Sequence, residues 1–296
     1  MVPEDGSGAV LPSLPLDAWE DTKETLHRYA QVVGKIRLSA APFKNHWWHV
    51  TLYVGARGLT MGPIPYGRTN FELELDLLNN RLEARAGNGG SFGFALDDLA
   101  VADFYRKLME GLAAIGVEVS IDPRPFDLDD EHPLDENFLH HACDREYVRR
   151  YWQILVWVDG VFQVFAGRFN GKQSPVHLFW HSFDLALARF SGGRARTRRG
   201  RPRHPGGLLA RGHLLRFLAR RQGRAGTQLL LLHGPRAAGP DGPAVDAGVR
   251  ALAARGRHGE PLLRGGAPEQ RPRRDPPPVS PERLRSRRQN RGLEHR

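Results

Sequence analysis

The stretch FELELDLLNNRLEARA, residues 71–86, decides how the chain is read. Apolar and charged residues alternate strictly over 71–77. Phe71, Leu73, Leu75 and Leu77 therefore share one face of a strand, and Glu72, Glu74 and Asp76 share the other. Asn79-Asn80 is a turn signal. Residues 81–86 resume as a second strand with Arg81 and Arg85 on the acidic face, so the spacing predicts an antiparallel hairpin with cross-strand charge pairs. Three acids in a row could also suggest metal ligands. A solvated strand face with paired arginines is the simpler reading.

Outward from this hairpin, the pattern changes period. Residues 17–33 carry Trp19, Leu26, Tyr29 and Val33 at helical spacing. Asp17 stands as an N-cap and Gly34 as a stop. Residues 97–115 form a second helix ended by Gly116, and 145–169 a third, weakened in its middle by Gly160. Residues 47–54 (WWHVTLYV), 117–121 (VEVSI) and 176–190 (VHLFWHSFDLALARF) read as strands. GNGGSFG at 87–93 reads as a hairpin loop, because no helix follows it to complete a phosphate cradle. An acidic loop lies between, with Asp127, Asp129, Asp130, Glu131, Asp135, Glu136, His132, His140 and His141. Helices and strands without a regular βαβ repeat predict an α+β fold with three main helices and an antiparallel or mixed sheet.

The chain has 296 residues and a formal charge of +10, but the charge is unevenly spread. Residues 195–296 hold 24 Arg and 7 acids, a net of +17, whereas residues 1–194 are at −7. Of those last 102 residues, 77 are Arg, Gly, Pro, Ala or Leu, and Phe217 is their one aromatic. Such a composition lacks the large, stiff side chains of a packed core. The chain is thus expected to hold an α+β domain over 1–194 and a disordered or non-native tail over 195–296. A nucleic-acid arm is the obvious reading of a basic tail, but arms of that kind carry Lys, and this one has none. Nucleic acid is accordingly disfavoured as a partner. No apolar run reaches the 18 residues of a membrane span, and MVPEDGSGAV lacks the basic and apolar regions of a signal peptide. The single cysteine, Cys143, excludes an internal disulfide, and we expect it to be inert. A cytoplasmic location follows as the expectation.

Two motifs could carry chemistry. NHWWH places His46, Trp47 and His49 together, and HLFWHSFD places His177, Trp180, His181 and Asp184 together. On a strand His46 and His49 face opposite ways, whereas His177 and His181, four apart, share a face. Trp and His side by side suit a polar-lined aromatic cleft for a small molecule. The same residues also suit a core of packed aromatics and satisfied histidines. No HExxH, GxGxxG, GxxxxGK[ST] or GxSxG is present, so no metal, cofactor or reaction is assigned. If the cleft exists, a histidine of the first motif should adjoin one of the second.

The strings LPSLPLDAWEDTKETLHRYAQVVGKIRLSAAPFKNHWWHVTLYVGARGLTMGPIPYG, FELELDLLNNRLEAR, VADFYRKLMEGLAAIGVEVSI and GKQSPVHLFWHSFDLALARFSGGRA resemble a bacterial family, domain of unknown function number 5996. The resemblance covers about residues 11–195. It implies a fold and no activity. Members of the family continue with blocks similar to EAYSHEVISFGFWPG and FYSYTAPEP, which this chain lacks. Back-translated with suitable codons, chiefly GC-ending, and shifted by one nucleotide, residues 206–221 (GGLLARGHLLRFLARR) give EAYSREVISFGFWPG, and residues 229–237 (LLLLHGPRA) give FYSYTAPEP. The resemblance therefore implies a frameshift near 195–205, and an unstable product.

Overall fold

The computed structural model describes residues 11–194, 210–218 and 228–233. The hairpin stands at its centre. β4 (Thr69–Asp76) and β5 (Arg81–Ala86) pair antiparallel, with Glu72 opposite Arg85, Leu73 opposite Ala84 and Leu75 opposite Leu82. Asn80 turns the chain at φ 55°. Phe71, Leu73, Leu75, Leu82 and Ala84 are buried, and Arg85 Nη1 lies 3.6 Å from Glu72 and 3.7 Å from Glu74. Asp76 departs from the alternation. Its carboxylate is buried and accepts bonds from the amides of Leu78 (3.1 Å) and Asn79 (2.8 Å), from Asn79 Nδ2 (3.0 Å) and from Arg57 Nε (2.7 Å). A carboxylate next to a turn satisfies the turn's free amides better than water does.

β6 (Ser91–Ala95) extends the sheet beyond β5 through the 87–90 loop. β1 (Tyr53–Val54), β2 (Gly58–Thr60) and β3 (Ile64–Tyr66) complete it, in the order β1-β2-β4-β5-β6 with β3 also on β4. A second sheet has the order β10-β9-β8-β7, from β7 (His177–Phe179), β8 (Asp184–Arg194), β9 (Ala210–Leu218) and β10 (Gln228–His233). Every described pairing is antiparallel. β9 and β10 fall in the stretch where composition gives no reason to expect packing. Leu215 and Phe217 supply that reason, since both are buried on one face of β9. The rest of the expected tail lies outside the described residues. A bridge joins the two sheets: Leu52 and Leu178 exchange backbone hydrogen bonds of 2.9 and 2.7 Å.

Three helices pack on this frame. α1 (Leu16–Ala40) starts at Pro15, with Asp17 in its first turn, and runs well past Gly34. Gly34 is no stop, because a Cβ there would meet the Trp180 ring at 2.2 Å; the glycine admits the indole. The helix is buried on nearly all sides from Thr22 to Arg37, including Lys23, His27, Arg28, Gln31, Lys35 and Arg37. α2 (Val101–Ala114) buries Phe104, Leu108 and Leu112, and Gly116 at φ 81° follows it. α3 (Arg145–Gly167) is capped by Asp144, whose carboxylate accepts from the amides of Glu146 and Tyr147.

Three expected strands differ. Residues 117–121 form none, since their backbone is bonded by side chains: Ser39 Oγ donates to the Ser120 carbonyl and the Glu118 amide to the Tyr66 hydroxyl. Residues 47–54 begin as a turn and reach strand geometry only at Tyr53. Residues 176–190 are two strands, β7 and β8, with a reversal over Trp180–Phe183 and Phe183 at φ 53°. Alternation continues through a short hairpin as readily as along one strand, so periodicity does not distinguish the two.

Candidate functional site

The NHWWH segment is shaped by two adjacent left-handed residues. Asn45–Trp47 makes one 3-10 turn, with His46 at φ 59° and Trp47 at φ 60°. Neither is glycine, so each costs on the order of 1 kcal/mol or more, which surrounding contacts must offset. The turn sends the two rings to different neighbours. His46 stacks on Phe190 at 4.8 Å between centroids, and its Nε2 lies 2.8 Å from Lys172 Nζ. Burial and that lysine hold its pKa down. Trp47 stacks on His49 at 5.5 Å, and Phe43 lies 5.0 Å from His49 and 5.9 Å from Trp47. Phe43 is 60% exposed and Trp47 40%, an open aromatic face backed by a buried imidazole. His49 Nδ1 is buried with no hydrogen-bond partner.

Behind that face lies a polar cluster. Arg37, near the end of α1, donates from Nε to the His49 carbonyl at 2.8 Å, and its guanidinium lies 5.3 Å over the Tyr53 ring. Thr51 Oγ1 and His177 Nδ1 are 3.2 Å apart, and both residues are buried. Burial drives the His177 pKa down to about 4, with Arg37 acting in the same direction. His49 is lowered too, first by burial and also by Arg37. Arg37 thus sits among His49, Tyr53 and His177 and favours neutral imidazoles on both sides.

The second motif divides across its hairpin. His177 is on β7, opposite Ala186, while Trp180 and His181 belong to the reversal. His177 and His181 therefore do not share a strand face, contrary to the spacing argument. Trp180 is buried; its Nε1 donates to the Val50 carbonyl at 2.7 Å and its own carbonyl meets His27 Nε2 at 2.9 Å. His181 faces Phe126 at 5.6 Å. Asp184 is fully buried and pairs with Arg216 Nε and Nη2, both at 2.5 Å, and with Ser182 Oγ. It is held by a guanidinium and a hydroxyl rather than by a histidine. Thr51–His177 and Trp180–Val50 tie the second motif to the residues just after NHWWH rather than histidine to histidine.

The acidic loop does structural work. Asp130 pairs with Arg28 at 3.1 Å and with His140 at 3.8 Å, and Gln31 exchanges bonds of 2.8 and 2.9 Å with the Phe126 backbone. Among the described residues no group of three His, Cys, Asp or Glu could hold a metal ion, and no helix is long and apolar enough to cross a membrane. Cys143 is buried and donates to Asn80 Oδ1 at 3.2 Å, and burial pushes its thiol up to about 12.

Sequence reasoning missed Arg37, Phe43, Thr51 and Tyr53. Reading Gly34 as a helix stop removed Arg37 from consideration, although it lies about one turn further along the same helix. Phe43, six residues before His49, was in view as a third ring of the aromatic motif.

No curated protein and no solved structure matches the chain. One family model matches residues 11–209, about two thirds of the length, and on that match the chain belongs to the family of unknown function DUF5996.

Proposed function

We propose that this protein binds a small molecule through the aromatic–histidine site, with a planar group of the ligand against Trp47, Phe43 and His49. One observation carries the reading. Two consecutive non-glycine residues hold the left-handed conformation, and the result is a tryptophan left 40% exposed and stacked on a buried histidine. Strain of this kind concentrates at functional positions. Trp180 and His177 favour the second reading, in which Trp and His are structural, because both are buried and hydrogen-bonded. We assign them to the wall of the site and leave ligand contact to the outer rings. His46, beside Lys172, lines the neighbouring edge, while His181 and Asp184 belong to the supporting hairpin.

The test is a fragment screen by thermal shift and ligand-observed NMR on the full chain, repeated with Trp47→Ala. Aromatic fragments should bind the parent and lose binding in the variant. Equal binding by both would overturn the reading. We also infer a bacterial cytoplasmic protein from the family resemblance and the single cysteine, and a frameshift after about residue 195 from the change in composition and the two recovered blocks. Sequencing the gene tests the frameshift, which fails if stop codons interrupt the alternative frame. Binding of nucleic acid through the tail remains disfavoured; salt-dependent binding lost on truncation at 194 would restore it.

A further inference from the structure

Several cations of this fold are matched with carboxylates. Lys23 lies 2.8 Å from Glu24, Arg28 has Glu24 at 2.9 Å and Asp130 at 3.1 Å, and Arg216 has Asp184 at 2.5 Å. Arg37 is different. It is 6% exposed, yet among the described residues no carboxylate lies within ion-pair distance. Its Nε is held by a neutral acceptor, the His49 carbonyl, and Tyr53 flanks its guanidinium with its ring and meets it with its hydroxyl. A desolvated guanidinium without a counter-charge is expensive. The nearby imidazoles add no negative charge, and His49 Nδ1 is itself buried and unpartnered.

Resting on the reading of the Trp47 face as a ligand site, we propose that Arg37 anchors the carboxylate of the bound molecule, so that the ligand class is an aromatic carboxylate. With Nε fixed on the His49 carbonyl, the Nη end of the fork is what meets a carboxylate, in exchange for the Tyr53 contact. One guanidinium balances one negative charge, which suits a carboxylate better than a phosphate dianion. The His49 ring links the two halves of the site: its carbonyl orients Arg37 and its imidazole stacks on Trp47. Lys44 is exposed and stands beside His49. The arrangement accounts for a buried guanidinium without a carboxylate and for an aromatic face placed at the same histidine.

Calorimetric titration of the full chain with benzoate, its neutral isostere benzamide, and phenyl phosphate tests the assignment. Benzoate should bind about tenfold or more tightly than benzamide, as expected for a charge-assisted pair in a desolvated site. Arg37→Gln should erase that preference, and Arg37→Lys should keep part of it with the fold intact. Equal affinity of the parent for benzoate and benzamide, a preference that survives Arg37→Gln, or no binding of benzoate overturns the proposal. Tighter binding of phenyl phosphate overturns the choice of carboxylate. The ring reading fails separately, if Trp47→Ala leaves benzamide binding unchanged. Should Arg37→Gln not fold, the benzoate-to-benzamide ratio in the parent and in Arg37→Lys decides.

Discussion

Lowering the pH from 7.5 to 5 should destabilise this protein through His27 and His177. His27 is buried, stacked on Phe183 at 5.0 Å, and its Nε2 faces the Trp180 carbonyl. Its pKa is held near about 4, first by burial, with Lys23 and Arg28 adding to the effect and Glu24 opposing it. His177 is likewise held at about 4 by burial. Both values lie below the unfolded value near 6.5. Between those limits the unfolded chain binds more protons than the folded one, so stability falls as the pH falls. At pH 5 each histidine costs about 2 kcal/mol relative to neutral pH by this linkage, about 4 kcal/mol together. For a chain of this size that is a fall in Tm of roughly 8–16 °C. Scanning calorimetry across the range measures it. His27→Gln keeps an amide facing the Trp180 carbonyl, and His177→Asn keeps a polar atom for Thr51. Each variant should lose a measurable part of the pH slope while remaining folded, with the rest left to His46, His49 and His140 and to the other substituted site. A Tm that is flat from pH 7.5 to 5, or a slope unchanged in both variants, would refute the argument. Glu24, held at about 2, acts in the same sense only at lower pH, below the usual carboxylate range.

Other substitutions test the packing. Gly34→Ala places a methyl carbon 2.2 Å from the Trp180 ring, so it should cost about 1–3 kcal/mol, read as a lower Tm; an unchanged Tm would show that the indole can move aside. Cys143 should resist thiol reagents at pH 8 in the native protein and react at once in denaturant, since its thiol is buried and raised. Ending the chain after Arg194 bares the β8 edge and strips Asp184 of Arg216, an unpaired buried charge worth about 3–5 kcal/mol. That shortened chain should aggregate or melt without cooperativity, and a soluble product with the Tm of the full chain would contradict the pairing.

The hairpin of 71–86 was legible because its two arms are amphipathic and its turn residues are explicit. α2 and α3 were legible for similar reasons, through stripes such as Phe104, Leu108 and Leu112. The site was half legible. Aromatic and histidine clustering at 46–49 marked the right segment, but not its shape, because left-handed His46 and Trp47 carry no signature that separates them from strand residues. Trp180 was assigned to a ligand face, and instead it fills the notch that Gly34 leaves in α1. Each depends on the other across 146 positions, a relation with no local trace. Arg37 escaped for the same reason: its significance lies in the carboxylate that does not stand beside it.

The burial of α1 on nearly all sides has a consequence for the order of folding. This helix leaves the ribosome well before its partners. Thr22 waits for the Asp144 amide, Arg28 for Asp130, and His27 for the Trp180 carbonyl, separations of 122, 102 and 153 residues. With so many long-range closures, folding should be slow. Until about residue 184 has emerged, α1 holds its lysines, arginines and apolar side chains without their final neighbours. Over that interval the apolar side chains of α1 are exposed, the condition under which a nascent chain is prone to aggregate.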